Sequence, residues 1–188
     1  MKSFMQFLSE SPDLSVDLHL AGHFGSGKTT ALERSGIGKH TTIIDLDDID
    51  QEMMGIHGQK PSESEPLKVW HKKFGEAYTR KVLQAKQAGK PIVVVGHHYE
   101  DGRRVAPIEA RQKIYINIPK DKLFAQRKAR DADPGLTDEY LEAEHASVQS
   151  ELDNENYVGM SFGDAVNALR NTEHSGLQRT AIVGSDGV

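Results

Sequence analysis

Residues 22–29 read Gly22-His23-Phe24-Gly25-Ser26-Gly27-Lys28-Thr29, the full pattern G-x-x-x-x-G-K-[ST]. Its flanks decide how it folds. The apolar run Val16-Asp17-Leu18-His19-Leu20-Ala21 leads in as a strand, and Thr29-Thr30-Ala31-Leu32-Glu33-Arg34 leads out as a helix. In such a strand–loop–helix unit the glycines let successive backbone N–H groups converge on an anion, and the helix N-terminus adds partial positive charge. Gly22, Gly25, Ser26, Gly27, Lys28, Thr29 and Thr30 are therefore the candidate residues for a nucleoside triphosphate. Lys28 would reach the β- and γ-phosphates, and the Thr29 hydroxyl would ligate Mg²⁺.

Working outward, the helix after the loop stops near Gly36-Ile37-Gly38, and Thr41–Asp45 reads as a second strand rich in β-branched residues. A polar loop is expected over residues 55–66. Leu67, Trp70, Phe74, Tyr78 and Val82 then recur at spacings of three and four, predicting a helix over Leu67–Ala88. Gly89-Lys90-Pro91 breaks it, and Ile92-Val93-Val94-Val95 reads as a central strand covered on both faces. Another strand is expected over Gln112–Ile118, then helices over Lys120–Arg130, Thr137–Leu152 and Gly163–Arg170. Thr180-Ala181-Ile182-Val183 reads as a last strand or as tail. Strands alternating with helices predict an α/β three-layer sandwich with a mainly parallel sheet, which binds ligands at the carboxyl ends of its strands. Residues 1–13 read as a short amphipathic segment, and residues 14–188 as one phosphate-loop domain.

Composition bounds the chemistry. The chain has 188 residues, with 23 Lys and Arg against 28 Asp and Glu, for a net charge of −5. No global basic field draws it to nucleic acid, although a local basic groove is not excluded. There is no cysteine, which removes disulfides, thiolate metal sites and cysteine nucleophiles. No apolar stretch has the length of a membrane span, and residues 1–10 lack the core and cleavage site of a secretory signal. The expectation is a soluble, cytoplasmic protein.

Three chemistry-bearing segments fall at predicted strand ends, where one site would collect them. The phosphate loop ends the first strand. Asp45-Leu46-Asp47-Asp48-Ile49-Asp50 ends the second, and Gly96-His97-His98-Tyr99 the third. Four acids in six residues read either as a solvated turn or as groups gathered around a cation, because close like charges repel. In the second reading Asp45 holds Mg²⁺ directly or through water, and a neighbouring carboxylate accepts a proton from an attacking hydroxyl. Along an extended segment Asp45 and Asp47 point to one side, and Asp48 points away unless the chain has turned into a helix. Adjacent His97 and His98 diverge and lack a third ligand, so contact with substrate or phosphate suits His97 better than a metal does. Arg103 and Arg104 suit either an anionic substrate or a solvated loop.

The loop, the D-x-D-D-[IL] segment and the short turn after the third strand resemble small P-loop kinases of the shikimate, gluconate and polynucleotide kinase kind. The resemblance covers about residues 16–150. It implies ATP as donor, Mg²⁺ or water at Asp45 beside Thr29, and Asp47 orienting or deprotonating the acceptor, which stays open between a hydroxyl or phosphate of a small metabolite, a nucleotide or a polynucleotide end. Asp48, His97, Arg103 and Arg104 are the candidate substrate contacts. Leu123-Phe124-Ala125-Gln126-Arg127-Lys128-Ala129-Arg130 resembles the lid entry of these kinases, which implies that Arg127 and Arg130 close over the triphosphate. The Gly-His-His strand ending departs from these families, and no adenine-binding loop is evident near the C-terminus. The competing reading is an ATPase or switch, which calls for an apolar strand ending in Asp or Asp-Glu; Ile92–Val95 ends in Gly96 instead. The third reading, a protein that binds nucleotide without turnover, is weakened by the presence of Lys28, Thr29 and Asp47. Finally, Met1–Glu10 resembles the N-terminal segments of head-packaged proteins in large tailed bacteriophages, with Leu8-Ser9-Glu10 as the protease site. That resemblance implies a phage origin, with the host cytoplasm or the virion as location and the phage head as a partner.

Overall fold

A computed structural model describes residues 13–61, 63–97, 99–100, 103–106, 108–131 and 136–183. The amphipathic segment and its Leu8-Ser9-Glu10 site therefore lie outside the described residues.

The order is β1 (Ser15–Ala21), α1 (Lys28–Ser35), β2 (Thr42–Asp45), α2 (Leu46–His57), α3 (Ser64–Gln87) and β3 (Ile92–Val95). A small hairpin of β4 (Tyr99–Glu100) and β5 (Arg103–Arg104) follows, then β6 (Glu109–Ile116), α4 (Lys120–Asp131), α5 (Asp138–Asn154), β7 (Val158–Met160) and α6 (Phe162–Val183). The main sheet runs β2-β3-β1-β6-β7. Every pairing in it is parallel, including His19↔Val94, Leu20↔Ile114 and Asp45↔Val95.

Parallel strands need crossovers, and the crossovers place helices on both faces. Ile92 and Val94 of β3 point to the face covered by Leu46, Ile49 and Met53 of α2 and by Trp70, Phe74, Tyr78 and Val82 of α3. Val93 and Val95 point to the other, where Ala31 of α1 and Ala165, Val166 and Leu169 of α6 pack with Leu18, Leu20, Ile114 and Ile116. This is the three-layer α/β sandwich expected from the sequence.

Three local expectations are corrected. The chain does not stay extended after Asp45: it enters α2 at Leu46, and the Asp45 side chain caps that helix by accepting from the Asp47 N–H at 3.0 Å. Asp47 and Asp48 thus lie in a first helical turn, where acids are favoured by the helix dipole. Thr180–Val183 is neither strand nor tail but the end of α6. Strand β7, too short and too exposed at Val158 for its pattern to stand out, was not expected at all.

Candidate active site

The phosphate loop joins β1 to α1 at the carboxyl edge of the sheet. Gly22 has φ +118°, and a Cβ there would lie 3.2 Å from the Tyr115 Cβ, so only glycine lets the loop cross β6 this closely. Gly27, at φ +85°, is the residue from which α1 springs, and no acidic side chain occupies the first turn of that helix. Its N-terminal field is therefore open to an incoming anion.

Lys28 curls back over the loop. Its Nζ donates to the carbonyls of Gly22 at 2.9 Å and His23 at 3.0 Å. Burial pushes its pKa down to about 8, against the opposing pull of Asp47 and Asp45. The Ser26 hydroxyl and the Arg127 Nε are buried without a hydrogen-bond partner among the described residues. Triphosphate oxygens are acceptors that would satisfy such orphaned donors.

Asp45 is half-buried, and burial raises its pKa first, with the charges of Asp47 and Asp48 adding to the effect. A divalent cation relieves a strained carboxylate of this kind. Among the described residues no three His, Asp or Glu side chains converge to hold a metal alone. Thr29, exposed at the start of α1, and Asp45 would supply Mg²⁺ with protein ligands, the phosphates and water giving the rest.

Asp47 stands at a cavity of about 530 Å³ next to the loop. Phe24 of the loop, Leu46 and Asp50 of α2, Trp70, His71 and Phe74 of α3, His97 after β3, and Tyr140, Glu144 and Ser147 of α5 line it. Asp47 and His97 thus share one cavity. Asp48 is exposed and is not among the lining residues. The main chain of Arg103 and Arg104 forms β5 beside lining residue Val105, but their side chains, like residue His98, fall outside what is described.

Arg127 reaches the loop itself, its guanidinium 5.0 Å from the centre of the Phe24 ring. Its Nη1 also contacts the Asp131 carboxylate at 2.7 Å, and Arg130 grips the same carboxylate through Nε at 2.6 Å and Nη2 at 3.1 Å. The charge of Asp47 is felt at Arg130 as well as at Lys28. Asp131 therefore yokes both arginines, a role legible in its i+4 and i+1 spacing but missed in the sequence.

The sequence shows no clustering of histidines beyond the His97-His98 pair, but the fold brings others together. His23 of the loop stacks on His145 of α5 with ring centroids 4.3 Å apart, and its Nε2 meets Gln149 Oε1 at 3.3 Å. Burial pushes His23 down to about 4, with His145, Lys28 and His97 acting in the same direction and Gln149 opposing. His97 Nδ1 lies 3.0 Å from the buried Glu151 carboxylate. Beneath them His19 contacts the Gly96 carbonyl through Nε2 at 3.0 Å and the Tyr157 hydroxyl through Nδ1 at 2.6 Å. Helix α5 thus fastens the phosphate loop and the turn after β3 from above.

A second cavity, of about 380 Å³, opens on the other side of the loop against Gly25, Gly27, Thr30, Arg34, Asn117 and Phe162. The Arg34 guanidinium sits 5.3 Å from the centre of the Phe162 ring. It offers an aromatic wall and a side-chain amide beside the loop, where the sequence shows no base-binding loop.

No family model matches the chain, and no curated protein matches it. Solved structures do. TT1252 from Thermus thermophilus superposes with a TM-score of 0.52 at 16% identity, over 84% of this chain and 95% of that one. A sugar kinase from Janibacter sp. HTCC2649 gives 0.50 at 14% identity, over 87% and 95%. A gluconokinase from Sinorhizobium meliloti 1021 gives 0.45 at 16%. At these identities the likeness establishes the α/β fold with its five-stranded parallel sheet. No helix among the described residues is long and apolar enough to cross a membrane.

Proposed function

We propose that this chain is an ATP-dependent phosphotransferase that moves the γ-phosphoryl group to a hydroxyl of an acceptor held in the cavity beside Asp47. One observation carries the reading: the phosphate loop, through Phe24, and the Asp47 carboxylate line the same cavity of about 530 Å³, beside the Lys28 ammonium that curls over the loop. The fold shared with the Janibacter sugar kinase supports it.

The roles follow from position. Backbone N–H groups of residues 25–29 and the Lys28 ammonium bind the phosphates, and the cavity bounded by Arg34, Asn117 and Phe162 takes the base. Asp47 accepts the proton of the acceptor hydroxyl as its oxygen bonds to the γ-phosphorus and the bond to ADP breaks. Mg²⁺, held through Thr29 and Asp45, would supply charge neutralisation on the phosphates. Arg127, orphaned at Nε, and Arg130 balance charge on the transferring group, while α4 and α5 exclude water. The test is a screen of acceptors with γ-labelled ATP and Mg²⁺. Label in an acceptor is the expected result; label appearing only as free phosphate, at the same rate with every acceptor, would establish the ATPase reading instead.

A further inference from the structure

The cavity beside Asp47 carries a charge pattern that phosphoryl transfer alone does not require. Three carboxylates line it, Asp47, Asp50 and Glu144, against one lysine, Lys60, and two histidines, His71 and His97, among the described residues. Lys60 lies 3.8 Å from Asp50 Oδ2, and the Trp70 indole donates to Asp50 Oδ1 at 3.1 Å. The indole fixes that carboxylate as part of the wall. Glu144 Oε2 accepts no hydrogen bond among the described residues. Arg127, over the Phe24 ring, and Arg130 both contact Asp131 and are assigned above to the transferring phosphoryl group rather than to the acceptor.

Sites that take phosphate or carboxylate groups present guanidinium forks or backbone N–H groups to them. The described wall presents carboxylates. An anionic acceptor would meet Asp47 and Asp50 on the α2 wall and Glu144 on the α5 wall, with the triphosphate at the loop adding further like charge. The rest of the wall is mostly aromatic and aliphatic, with Phe24 and Tyr140 37% and 52% exposed. Aromatic faces take a sugar or base ring by contact, and an ammonium by cation–π attraction.

We propose that the acceptor is a small hydroxylated ring compound bearing no phosphate or carboxylate: a neutral sugar or nucleoside, or its amine-bearing counterpart. A cavity of about 530 Å³ accommodates a ligand of that size. This specificity rests on the phosphotransferase reading. It narrows that reading by excluding nucleotides, sugar acids and polynucleotide ends. The chemical step is unchanged: the acceptor oxygen bonds to the γ-phosphorus, its proton passes to Asp47, and ADP leaves.

The experiment uses the full chain with Mg²⁺ and γ-labelled ATP on matched ring acceptors: glucosamine, glucose and glucuronate, and adenosine with adenosine 3′-monophosphate, which keeps the 5′-hydroxyl. ATP binding is measured separately by calorimetry. Label should pass to glucosamine, glucose or adenosine, with kcat/KM at least about tenfold lower for the anionic counterpart of whichever is used. Glu144→Gln should raise the anionic-to-neutral ratio several-fold by removing one wall charge. Faster transfer to glucuronate or adenosine 3′-monophosphate would overturn the proposal and put Arg103 and Arg104 forward as an anion seat. ATP binding with no label in any of the five overturns the acceptor class alone. Failure to bind ATP overturns the phosphotransferase reading with it.

Discussion

Raising the pH through 8 should weaken ATP binding, because Lys28 then loses the proton that a triphosphate needs. Its Nζ is held against two carbonyl oxygens at 2.9 and 3.0 Å, and burial outweighs the pull of Asp47 and Asp45, bringing its pKa from 10.5 to about 8. That drop corresponds to about 3 kcal/mol of penalty on the charged form. The sign for the unliganded fold follows directly. The penalty is fully present below pH 8 and is relieved as pH rises from 8 to 10.5, where the unfolded chain binds the extra proton. This group therefore makes the unliganded fold more stable toward alkaline pH, while ATP binding moves the other way. Triphosphate charge beside Lys28 restores its affinity for the proton, so binding above pH 8 takes one up. The Kd for ATP should rise about tenfold per pH unit beyond 8 until the contribution of the ammonium is exhausted. Calorimetric titrations from pH 7 to 9.5, in buffers of different ionisation enthalpy, count the proton. Lys28→Met should bind more weakly and show no uptake in that window. A wild-type Kd that stays flat from pH 7.5 to 9.5, or uptake that survives in Lys28→Met, would refute the argument.

Asp47→Asn keeps the size and shape of the side chain but cannot take a proton, so turnover should fall about 10²–10⁴-fold with ATP affinity nearly unchanged. Steady-state kinetics alongside ATP calorimetry separate the two. Arg127→Ala removes both the contact over Phe24 and charge balance at the phosphates, so turnover should drop at least tenfold. The Arg127 ion pair with Asp131 is largely buried, so the melting temperature should also fall by a few degrees, and the reading rests on turnover dropping at temperatures where the variant is fully folded. His23 binds its proton at about 4 in the fold against an ordinary value of 6.5, so its contribution to stability is intact above pH 6.5 and falls as pH drops toward 4. Denaturant unfolding at pH 7 and pH 5 should show a smaller loss in His23→Gln than in the wild type.

Local chemistry was legible in the sequence wherever a function sits in consecutive residues. Gly22–Thr29 with its flanking strand and helix fixes the loop, and the unbroken apolar run of Ile92–Val95 places β3 at the centre of a two-sided sheet. Asp45 shows how a correct residue can be set in the wrong geometry. The extended reading of Asp45–Asp50 ignored a helix-start signal that was present: an acid just before Leu46, Ile49 and Met53 at helical spacing, with two more acids in the first turn. Asp47 still reaches the cavity, but from a helix rather than from a strand. What lay beyond the sequence is held together across long separations. His23 and Gln149 are 126 positions apart, and His19 and Tyr157 are 138 apart. No local periodicity encodes either pairing. The same distance explains why the acceptor was the hardest part to read. Its cavity takes one wall from the loop, one from α2, one from α3 and one from α5, so its chemistry exists only once the sheet order has brought those elements to one edge. In the sequence Asp50 reads only as one of four clustered acids and Glu144 carries no signal; lining one cavity, they become the charges that bear on which acceptor it takes.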